Sequence, residues 1–576
     1  MQIQPLPVGL AEFTDLMQGG FVYVDKTQQI YQLLRVAKRP YFLARPRRFG
    51  KSLLISTLEA LFQGRRELFE GLWMEQHSPW DWSQQHPVIR LDMSLIANAT
   101  PQELKQGLCH AVRRAAAYNR IELGPGDMPN LLLGRLIEQL ARDNQVVVLI
   151  DAYDKPLIDH LGGRTSAQHE RELDIAYANR DLLKSFFAVL KGLGGYLRLV
   201  FVTGVSKFAR TSIFSDLNNL TDLTLDRSCA DLAGYTQQEL ETNFVPHLQH
   251  LAAERQQSVQ QLLDDIRQWY NGFRFSSADL RVYNPFSTLL LLQQKEFRAH
   301  WFATGTPSFL TKLVKHSEEL QPNTFSGVAV SQSAFESYEL DQLHEHLLPL
   351  MVQTGYLTIT HYNSDRGIYR VDFPNQEVRQ GFLESLMEAY SYLPKGRAMT
   401  DLDRLTEALQ HNDLPSFFVA LRAILAGVPY HLHISLERYY QTVFYLIYQL
   451  LGYSVHTEVC TNVGRIDAVI DLDTHTYVFE FKLQQGQPTP QQQLLEGCEP
   501  SAQLKSSVYQ DEQAATLTQA HTKLAQAALQ QIKDRQYGVK YAGKGKPVTL
   551  VGAVFTVNTL QGQPVRQVTA WVSEAL

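Results

Sequence analysis

The stretch KRPYFLARPRRFGKS, residues 38–52, joins a short apolar segment to a helix through a turn that carries Gly50, Lys51 and Ser52. The segment YFLA is typical of a buried strand, and the SLLISTLEALF that begins at Ser52 repeats apolar residues at helical spacing. In such a unit, backbone N–H groups and the helix N-terminus can hold phosphate oxygens, a lysine can reach the β and γ phosphates, and a serine can ligate Mg²⁺. The stretch therefore predicts a phosphate-binding loop in an α/β domain.

The loop departs from the common pattern G-x-x-x-x-G-K-[ST], because Arg45 stands at the position of the first glycine. Arg47 and Arg48 follow, so a basic turn on a solvated face explains the loop alone equally well. A second stretch, VVVLIDAYDKP at residues 146–156, favours the phosphate site. Its apolar, mostly β-branched run predicts a buried strand ending at Asp151, whose carboxylate can bind the metal ion of a bound nucleotide.

The residue after Asp151 is Ala152. Many nucleotide hydrolases place a glutamate there, because a second carboxylate beside the metal ligand can polarise the water that attacks the γ phosphate. This sequence keeps the groups that bind a nucleotide and lacks that carboxylate. We therefore predict that the chain binds ATP and hydrolyses it poorly.

A third stretch, GRIDAVIDLDTHTYVFEFKL at residues 464–483, predicts an antiparallel hairpin, because two β-rich runs flank the polar turn LDTH. Side chains alternate along a strand, so Glu480 and Lys482 share one face and the aromatic residues take the other, as core. Asp467 on the neighbouring strand can approach them. Two carboxylates can hold Mg²⁺, and the lysine can orient or deprotonate a water and offset charge on a scissile phosphate.

A strand with alternating charges is more often a solvated face than a catalytic site. The flanking sequence favours catalysis here. The preceding segment LERYYQTVFYLIYQLLG, residues 436–452, has an apolar helical stripe, ends at a glycine and carries Glu437 in its first turn. Farther on, residues 523–537, KLAQAALQQIKDRQY, predict a helix that contains Gln531, and residues 548–557, VTLVGAVFTV, predict a buried strand.

Together these stretches resemble an AAA-ATPase-like module that is commonly fused to a C-terminal PD-(D/E)XK nuclease. The resemblance extends over most of the chain and includes the arginine-bearing loop, which accounts for the missing glycine. The matching motifs are FVYVDKT (21–27), RPRRFGKS (45–52), LIDAYDKP (149–156), TGVSKFARTSIFSDLNNLTDLTLD (203–226), WYNGFRF (269–275) and VYNPFS (282–287).

For the N-terminal motifs, the resemblance implies a nucleotide site. Lys51 and Ser52 would bind ATP and Mg²⁺. Asp151 would be the Walker B metal ligand, and Thr203 would lie at the γ-phosphate side. The family pattern at this strand end is LIDEYD, so Ala152 is the departure. Drift into a nucleotide-bound switch and deliberate replacement of the glutamate both account for it, and the unaltered state of the other matched residues favours the second. The resemblance also implies nucleotide binding by the loop residues Arg45, Arg47, Arg48, Phe49 and Gly50.

For the C-terminal motifs, the resemblance implies a nuclease core in which a helix, an acid-bearing strand and an E-x-K strand follow one another. The implied active-site residues are Glu437, Asp467, Glu480, Lys482 and Gln531. The first three of these, the acids, are the implied metal ligands.

The predicted fold class is α/β. We expect a P-loop NTPase, AAA-like core at residues 1–230 and a helical lid and connector at residues 231–400. Residues 401–576 are expected to form a PD-(D/E)XK, restriction-endonuclease-like α/β domain. Helical patterns at residues 235–248 and 258–272 predict the lid. Residues 348–363 and 368–387 predict a small helix and hairpin module of the winged type, for which a connector between the two active domains is favoured over DNA reading.

Composition narrows the class of protein. The chain has 576 residues, too many for one hydrophobic core. It shows neither an apolar run that could cross a membrane nor a secretory signal, so we expect a cytoplasmic protein. A net charge of −6 excludes a uniformly basic coat, so contacts with nucleic acid need local patches. The cysteines lack the spacing of a zinc site or disulfide framework: Cys109, Cys229, Cys460 and Cys498.

The leading functional hypothesis is an ATP-controlled nuclease that uses Mg²⁺ or Mn²⁺. Its expected partners are nucleic acid, with DNA favoured, and further copies of the chain, joined through the ATPase domain. Family analogy suggests prokaryotic defence against foreign DNA, or DNA processing. The alternative is a nucleotide-dependent oligomerisation or binding switch whose C-terminal domain contacts a partner without cutting. The intact Asp467, Glu480 and Lys482 favour the enzyme.

Overall fold

The computed structural model divides into two compact units, the first built from the described residues up to Phe382 and the second from those beyond it. The structure describes residues 3–35, 40–161, 166–207, 213–214, 217, 219–305, 310–311, 314, 327–335, 346–391, 397–426, 446–447, 454–455, 466–472, 474–485, 507–535, 541, 545–560 and 563–576.

The described strands and helices are numbered in chain order. The strands are β1 Pro40–Ala44, β2 Val88–Asp92, β3 Val146–Asp151, β4 Leu197–Gly204, β5 Thr221–Asp222, β6 Val328–Ser331, β7 Thr358–Asn363, β8 Ile368–Asp372, β9 Ser454–Val455, β10 Ile466–Asp471, β11 Thr476–Gln485, β12 Val548–Leu560 and β13 Gln563–Ala575. The helices are α1 Phe13–Gln18, α2 Thr27–Leu34, α3 Lys51–Phe62, α4 Trp73–His77, α5 Pro101–Tyr118, α6 Pro129–Leu140, α7 Lys155–Ile158, α8 Ser166–Gly192, α9 Gln237–Asn243, α10 Val245–Glu254, α11 Val259–Tyr270, α12 Pro285–Gln294, α13 His300–Gly305, α14 Leu347–Thr354, α15 Gln376–Ser391, α16 Arg397–Gln410, α17 Leu414–Ala426 and α18 Ser507–Asp534.

A parallel sheet of order β2-β3-β4-β1-β5 forms the centre of the first unit. Helix α3 lies on one face of it, where Leu54 and Leu58 pack in one cluster with Leu149 and Phe201. The strand–turn–helix predicted at residues 38–52 is confirmed. So is the buried strand that ends at the acid of LIDAYDKP. Because all strands are parallel, their carboxyl ends meet at one edge, beside the N-terminus of α3.

The predicted lid helices are present as α9 to α11. Capping boxes begin two of them, with Thr236 and Glu239 at α9 and Ser258 and Gln261 at α11. Each pair satisfies two backbone N–H groups that would otherwise lack an intrahelical acceptor. These local signals explain why the helix starts could be predicted from sequence.

The predicted helix and hairpin after the lid are also present, as α14 followed by β7 and β8, with β6 added to the sheet in the order β6-β8-β7. Gly355 ends α14 with a φ of 88°. A Cβ built there would lie 2.8 Å from the ring carbons of Pro46 in the phosphate-binding loop. Both the positive φ and the close approach of Pro46 therefore require glycine at residue 355. Its lack of a side chain lets the α14 and hairpin module pack against the phosphate-binding loop.

The second unit is a mixed sheet of order β13-β12-β11-β10-β9 with helices on both faces. The aromatic face of β11 is core, as predicted: the rings of Phe479 and Phe417 of α17 lie 5.6 Å apart. Helix α18 packs on the opposite face. Gly552 of β12 permits this, because a Cβ there would lie 2.2 Å from the carbonyl oxygen of Ala525. The helix predicted around Gln531 and the strand after it are thus confirmed.

Three further expectations from the sequence concern membrane-spanning helices, the cysteines and Glu437. Among described residues, no helix combines the length and apolar character needed to span a membrane. Cys109 and Cys229 are free thiols, whereas the other two cysteines lie outside the described residues. Glu437 and nearly all of the helix predicted around it also lie outside them.

Glu377, in the first turn of α15, is a buried carboxylate in the first unit. Its Oε1 accepts hydrogen bonds from Ser287 Oγ (2.9 Å) and the backbone N–H of Trp301 (2.6 Å). Its Oε2 has no partner among the described residues. Burial raises the pKa of Glu377 to about 8, although both hydrogen bonds oppose the shift. The folded protein therefore keeps this proton at pH values where the unfolded chain has lost it.

This raised pKa predicts a pH-dependent stability. Between about pH 5 and pH 8, the free energy of unfolding should fall with rising pH by up to about 1.4 kcal/mol per unit, because only the folded state binds the proton. Glu377→Gln resembles the protonated acid, so it should remove this part of the slope. Thermal unfolding of parent and variant across this range measures the effect. Parallel profiles for the two proteins would contradict the assignment.

Candidate functional site

The phosphate-binding loop has two residues in the left-handed region of backbone conformation. Gly50, which caps α3, has a φ of 87°, and Arg48 has a φ of 65°. Glycine enters this region at little cost, which explains its place before the helix. The turn ends at Gly50, the cap of α3, and the first backbone N–H groups of a helix lack intrahelical acceptors and can hold a phosphate.

Lys51 is buried inside the loop. Its Nζ donates to the carbonyl oxygens of Arg45 (3.0 Å) and Pro46 (2.8 Å). Burial lowers the pKa of Lys51 to about 8, and the nearby carboxylates of Asp151 and Asp154 oppose the shift. A bound polyphosphate would supply stronger acceptors and restore the charged form. The lysine is therefore placed for the predicted phosphate contact.

The structure corrects the expected role of the Arg45 side chain. This guanidinium is fully buried and donates to the carbonyl oxygens of Ala44 (2.9 Å), Thr224 (2.8 Å) and Cys229 (2.9 Å). It also lies 4.4 Å from the ring centroid of Phe275. Its two terminal nitrogens, Nη1 and Nη2, donate beneath the loop, so the side chain supports the loop instead of binding phosphate. The missing first glycine is replaced by a structural anchor.

Phe49 also acts as an anchor, because its buried ring packs edge-on against Phe273. The two other loop arginines differ. Arg48 is exposed, and its guanidinium lies 4.7 Å from the ring centroid of Phe286 in VYNPFS. The carbonyl oxygen of Arg47 accepts a hydrogen bond from the indole N–H of Trp301 (2.9 Å). Arg48 and Phe49 both line the cavity beside the loop.

That cavity encloses about 1110 Å³ of space, including its open mouth. Lys51 and Ser52 line it on the α3 side. The N-terminal segment 7–11, the segment 22–24 of FVYVDKT and the lid segment 232–235 line the other walls. These walls are largely apolar, so the cavity joins a phosphate-binding end to a surface that suits a nucleobase.

Asp151 and Thr203 lie at the strand ends beside the loop. Both are buried, and Thr203 Oγ1 donates to Asp151 Oδ1 over 2.6 Å. The hydrogen bond orients the carboxylate, as second-layer contacts do for metal ligands. Ala152 follows with a φ of 54°, a left-handed value that is uncommon outside glycine. Ser52 and Asp151 are hydroxyl and carboxylate donors of the type that Mg²⁺ prefers.

Asp154, three residues after Asp151 in LIDAYDKP, has a positioning role in the structure. Its Oδ2 accepts from the backbone N–H groups of Val205 and Ser206, both at 2.9 Å, and from Ser206 Oγ at 3.0 Å. Burial raises the pKa of Asp154, and these hydrogen bonds oppose the shift. Asp154 thus ties the strand that carries Asp151 to the loop after Thr203.

The second group of predicted residues lies on β10, β11 and α18. The antiparallel register pairs Asp467 directly with Glu480, which confirms the predicted hairpin. Glu480 is fully buried. Gln531 of α18 donates to Glu480 Oε1, and Lys482 Nζ donates to Gln531 Oε1 (2.5 Å) and to Glu480 Oε1 (3.4 Å). The side chain of Asp467 and all of Glu437 lie outside the described residues.

This arrangement overturns the interpretation of E-x-K as a solvated face. Helix α18 covers it, and Glu480 has no exposed surface. Among the residues that the structure describes, Glu480 Oε2 has no hydrogen-bond partner. A buried carboxylate oxygen without a partner is costly, and a divalent cation would satisfy it. The carboxylate therefore fits the expected metal ion.

Comparison with known proteins gives two family matches and one full-length relative. The family described as "Predicted AAA-ATPase" matches residues 7–214. The family described as "PD-(D/E)XK nuclease superfamily" matches residues 435–522. The chain is also 33% identical over 590 residues to the "Uncharacterized protein in vnfD 5'region" of Azotobacter chroococcum mcd 1, with 100% of both chains covered. The α/β fold class and the resemblance stated from sequence are confirmed.

Proposed function

The chain belongs to a family in which an AAA-ATPase-like domain precedes a C-terminal PD-(D/E)XK nuclease domain, and from this premise we propose that it is an ATP-binding, ATP-regulated, metal-dependent nuclease. The observation that carries the proposal is the buried group of Glu480, Lys482 and Gln531. One carboxylate oxygen in this group has no partner among the described residues. The family indicates the class of reaction, and the side chains of Glu480, Lys482 and Gln531 provide the functional groups that this reaction needs.

In the proposed nuclease, Asp467 and Glu480 would hold Mg²⁺ or Mn²⁺, and Glu437 is the third acid expected from sequence. A cation held there would supply stabilisation of the charge that develops on the phosphodiester. Lys482 can orient the attacking water and offset charge on the scissile phosphate. Gln531 positions both partners, because its amide donates to Glu480 and accepts from Lys482.

In the proposed ATPase-like domain, the backbone of the loop and Lys51 hold the phosphates. Ser52 and Asp151 would hold Mg²⁺, with Thr203 fixing the carboxylate. Ala152 offers no carboxylate to the attacking water. ATP is therefore bound for longer than in a rapid ATPase, and the bound state regulates the nuclease.

We extend this proposal to the partners by family analogy. The substrate is nucleic acid, with DNA favoured, and copies of the chain assemble through the ATPase-like domain. The setting is prokaryotic defence against foreign DNA, or DNA processing. A nucleotide-dependent binding switch is the second candidate function. Ala152 favours it specifically, because a site that binds ATP without hydrolysing it can hold an assembled state.

One experiment separates these functions. The purified chain is incubated with plasmid, linear duplex, single-stranded DNA and RNA, with Mg²⁺ or Mn²⁺, and with or without ATP. We expect metal-dependent cleavage of DNA whose rate changes on addition of ATP. Retention of a nucleic acid without cleavage, in a way that depends on ATP, would instead support the switch.

Lys51→Ala is expected to weaken ATP binding by about tenfold to a hundredfold, because charge-assisted hydrogen bonds to the phosphates are lost. Titration of a fluorescent ATP analogue measures the affinity. Lys105→Ala is the matched control, since Lys105 of α5 forms an exposed ion pair with Asp127, away from the loop. Equal affinity in Lys51→Ala and the parent would remove the phosphate-loop assignment.

A further inference from the structure

Three neighbouring strands of the parallel sheet carry polar residues in a row near their carboxyl ends. The register pairs Asp92, the last residue of β2, with Asp151, the last residue of β3. Ile150 of β3 pairs with Val202 of β4, and the next residues, Asp151 and Thr203, are joined by the 2.6 Å hydrogen bond. Paired residues of parallel strands point to the same face. Asp92 therefore lies beside the proposed metal ligand and on its face of the sheet.

This face is the one that α3 covers. Arg90, two residues before Asp92 on β2, donates to Glu59 of α3 over 3.0 Å. Leu149, two residues before Asp151, packs in the cluster with Leu54 of α3. Because residues two apart on a strand share a face, both acids continue along the α3 side to its N-terminal end. That end carries the phosphate-binding loop.

Asp92 is held in place at this edge. Its Oδ1 accepts from the backbone N–H (2.9 Å) and the hydroxyl (2.6 Å) of Ser94. Beyond the turn, the carbonyl oxygen of Asn98 lies 2.7 Å from His160 Nε2 and accepts from Asn179 (3.2 Å). Both hydrogen bonds of Asp92 use one oxygen. Within the described part of the chain, its Oδ2 forms no hydrogen bond, and the residue is partly exposed.

We propose that Asp92 is the carboxylate that activates the attacking water, in place of the glutamate absent at residue 152. This inference rests on the proposed function. The water oxygen forms a bond to the γ phosphorus, and the bond from that phosphorus to the β–γ bridging oxygen breaks. ADP leaves with the electron pair, and Asp92 Oδ2 takes the proton of the water. A carboxylate from the neighbouring strand thus gives the chain a slow hydrolysis that resets the bound state.

The test is Asp92→Asn, compared with Asp81→Asn as a matched control. Asp81 accepts the same two bonds from Ser83, at 3.1 Å and 2.6 Å, in an exposed loop before β2. Asparagine keeps the accepting oxygen in both turns, so folding should survive in both, and thermal unfolding verifies it. We expect phosphate release at saturating ATP and Mg²⁺ to fall by at least about tenfold in Asp92→Asn and to stay unchanged in Asp81→Asn. The affinity for a fluorescent ATP analogue should be the same in all three proteins.

The outcomes separate this inference from the proposed function. If the parent binds the analogue and Asp92→Asn releases phosphate at the parent rate, Asp92 is not the base and the proposed function stands. The same conclusion follows if the parent binds ATP without any phosphate release. If Asp92→Asn loses ATP affinity together with turnover, Asp92 supports the nucleotide site structurally, which also overturns its catalytic role. If the parent does not bind the analogue, both proposals fail.

Discussion

Glu480→Gln is expected to reduce metal-dependent cleavage of nucleic acid by about a hundredfold or more, because loss of a metal ligand removes several kcal/mol of transition-state stabilisation. Glutamine keeps the oxygen that accepts from Gln531, but it puts an amide nitrogen where the unpaired oxygen Oε2 now lies. An amide nitrogen does not bind a divalent cation. The initial rate of plasmid nicking at saturating Mg²⁺ measures the loss.

The chain offers a control for this change. Glu574 of β13 forms an ion pair of 2.6 Å with Lys533 of α18, so it also joins this helix to the sheet. Its side chain is about half exposed, and Glu574→Gln should leave cleavage unchanged. Glutamine is chosen at residue 480 because alanine would leave a hole beneath α18 and an unpaired amide on Gln531. Undiminished cleavage in both Glu480→Gln and Asp467→Ala would remove this site as the catalytic centre.

The elements that position both sites could be predicted from sequence because their signals are local. A β-branched run, a glycine before a helical stripe and an alternating strand each specify one element within about ten residues. The hairpin of β10 and β11 follows from a polar turn between two such runs, and its register follows from that turn. Asp467 and Glu480 were therefore expected to face each other, and the register pairs them.

The contacts of Arg45 and the proposed role of Asp92 could not be predicted in this way, because they depend on the meeting of distant parts of the chain. Arg45 meets Thr224 and Cys229, residues 179 and 184 positions away. In sequence it is one more arginine of a basic loop, and only the fold shows that its terminal nitrogens donate below that loop. Asp92 is separated from Asp151 by two helices, and only the strand order makes them neighbours.

Ala152→Glu is expected to raise steady-state phosphate release by on the order of a hundredfold, the lower end of what a general base contributes. The affinity for ATP should change little, because the phosphate-binding loop is untouched. Ala152 already has a φ of 54°, so a glutamate meets the same backbone cost as the alanine. Phosphate release at saturating ATP and Mg²⁺ measures the gain. Ala253→Glu, at an exposed position of α10, adds the same charge away from the site and should have no effect.

The Ala152→Glu variant also tests the proposed role of Asp92 in activating the attacking water. If residue 152 is the base position and Asp92 serves in its absence, Asp92→Asn should cost less in the Ala152→Glu background than in the parent, because the water then has a second carboxylate. Two groups that act on one water cannot contribute independently, so their effects should not add. Equal phosphate release in Ala152→Glu and the parent would show that residue 152 does not reach the attacking water. The hydrolytic position assigned from the LIDEYD pattern would then be wrong, even with ATP binding intact.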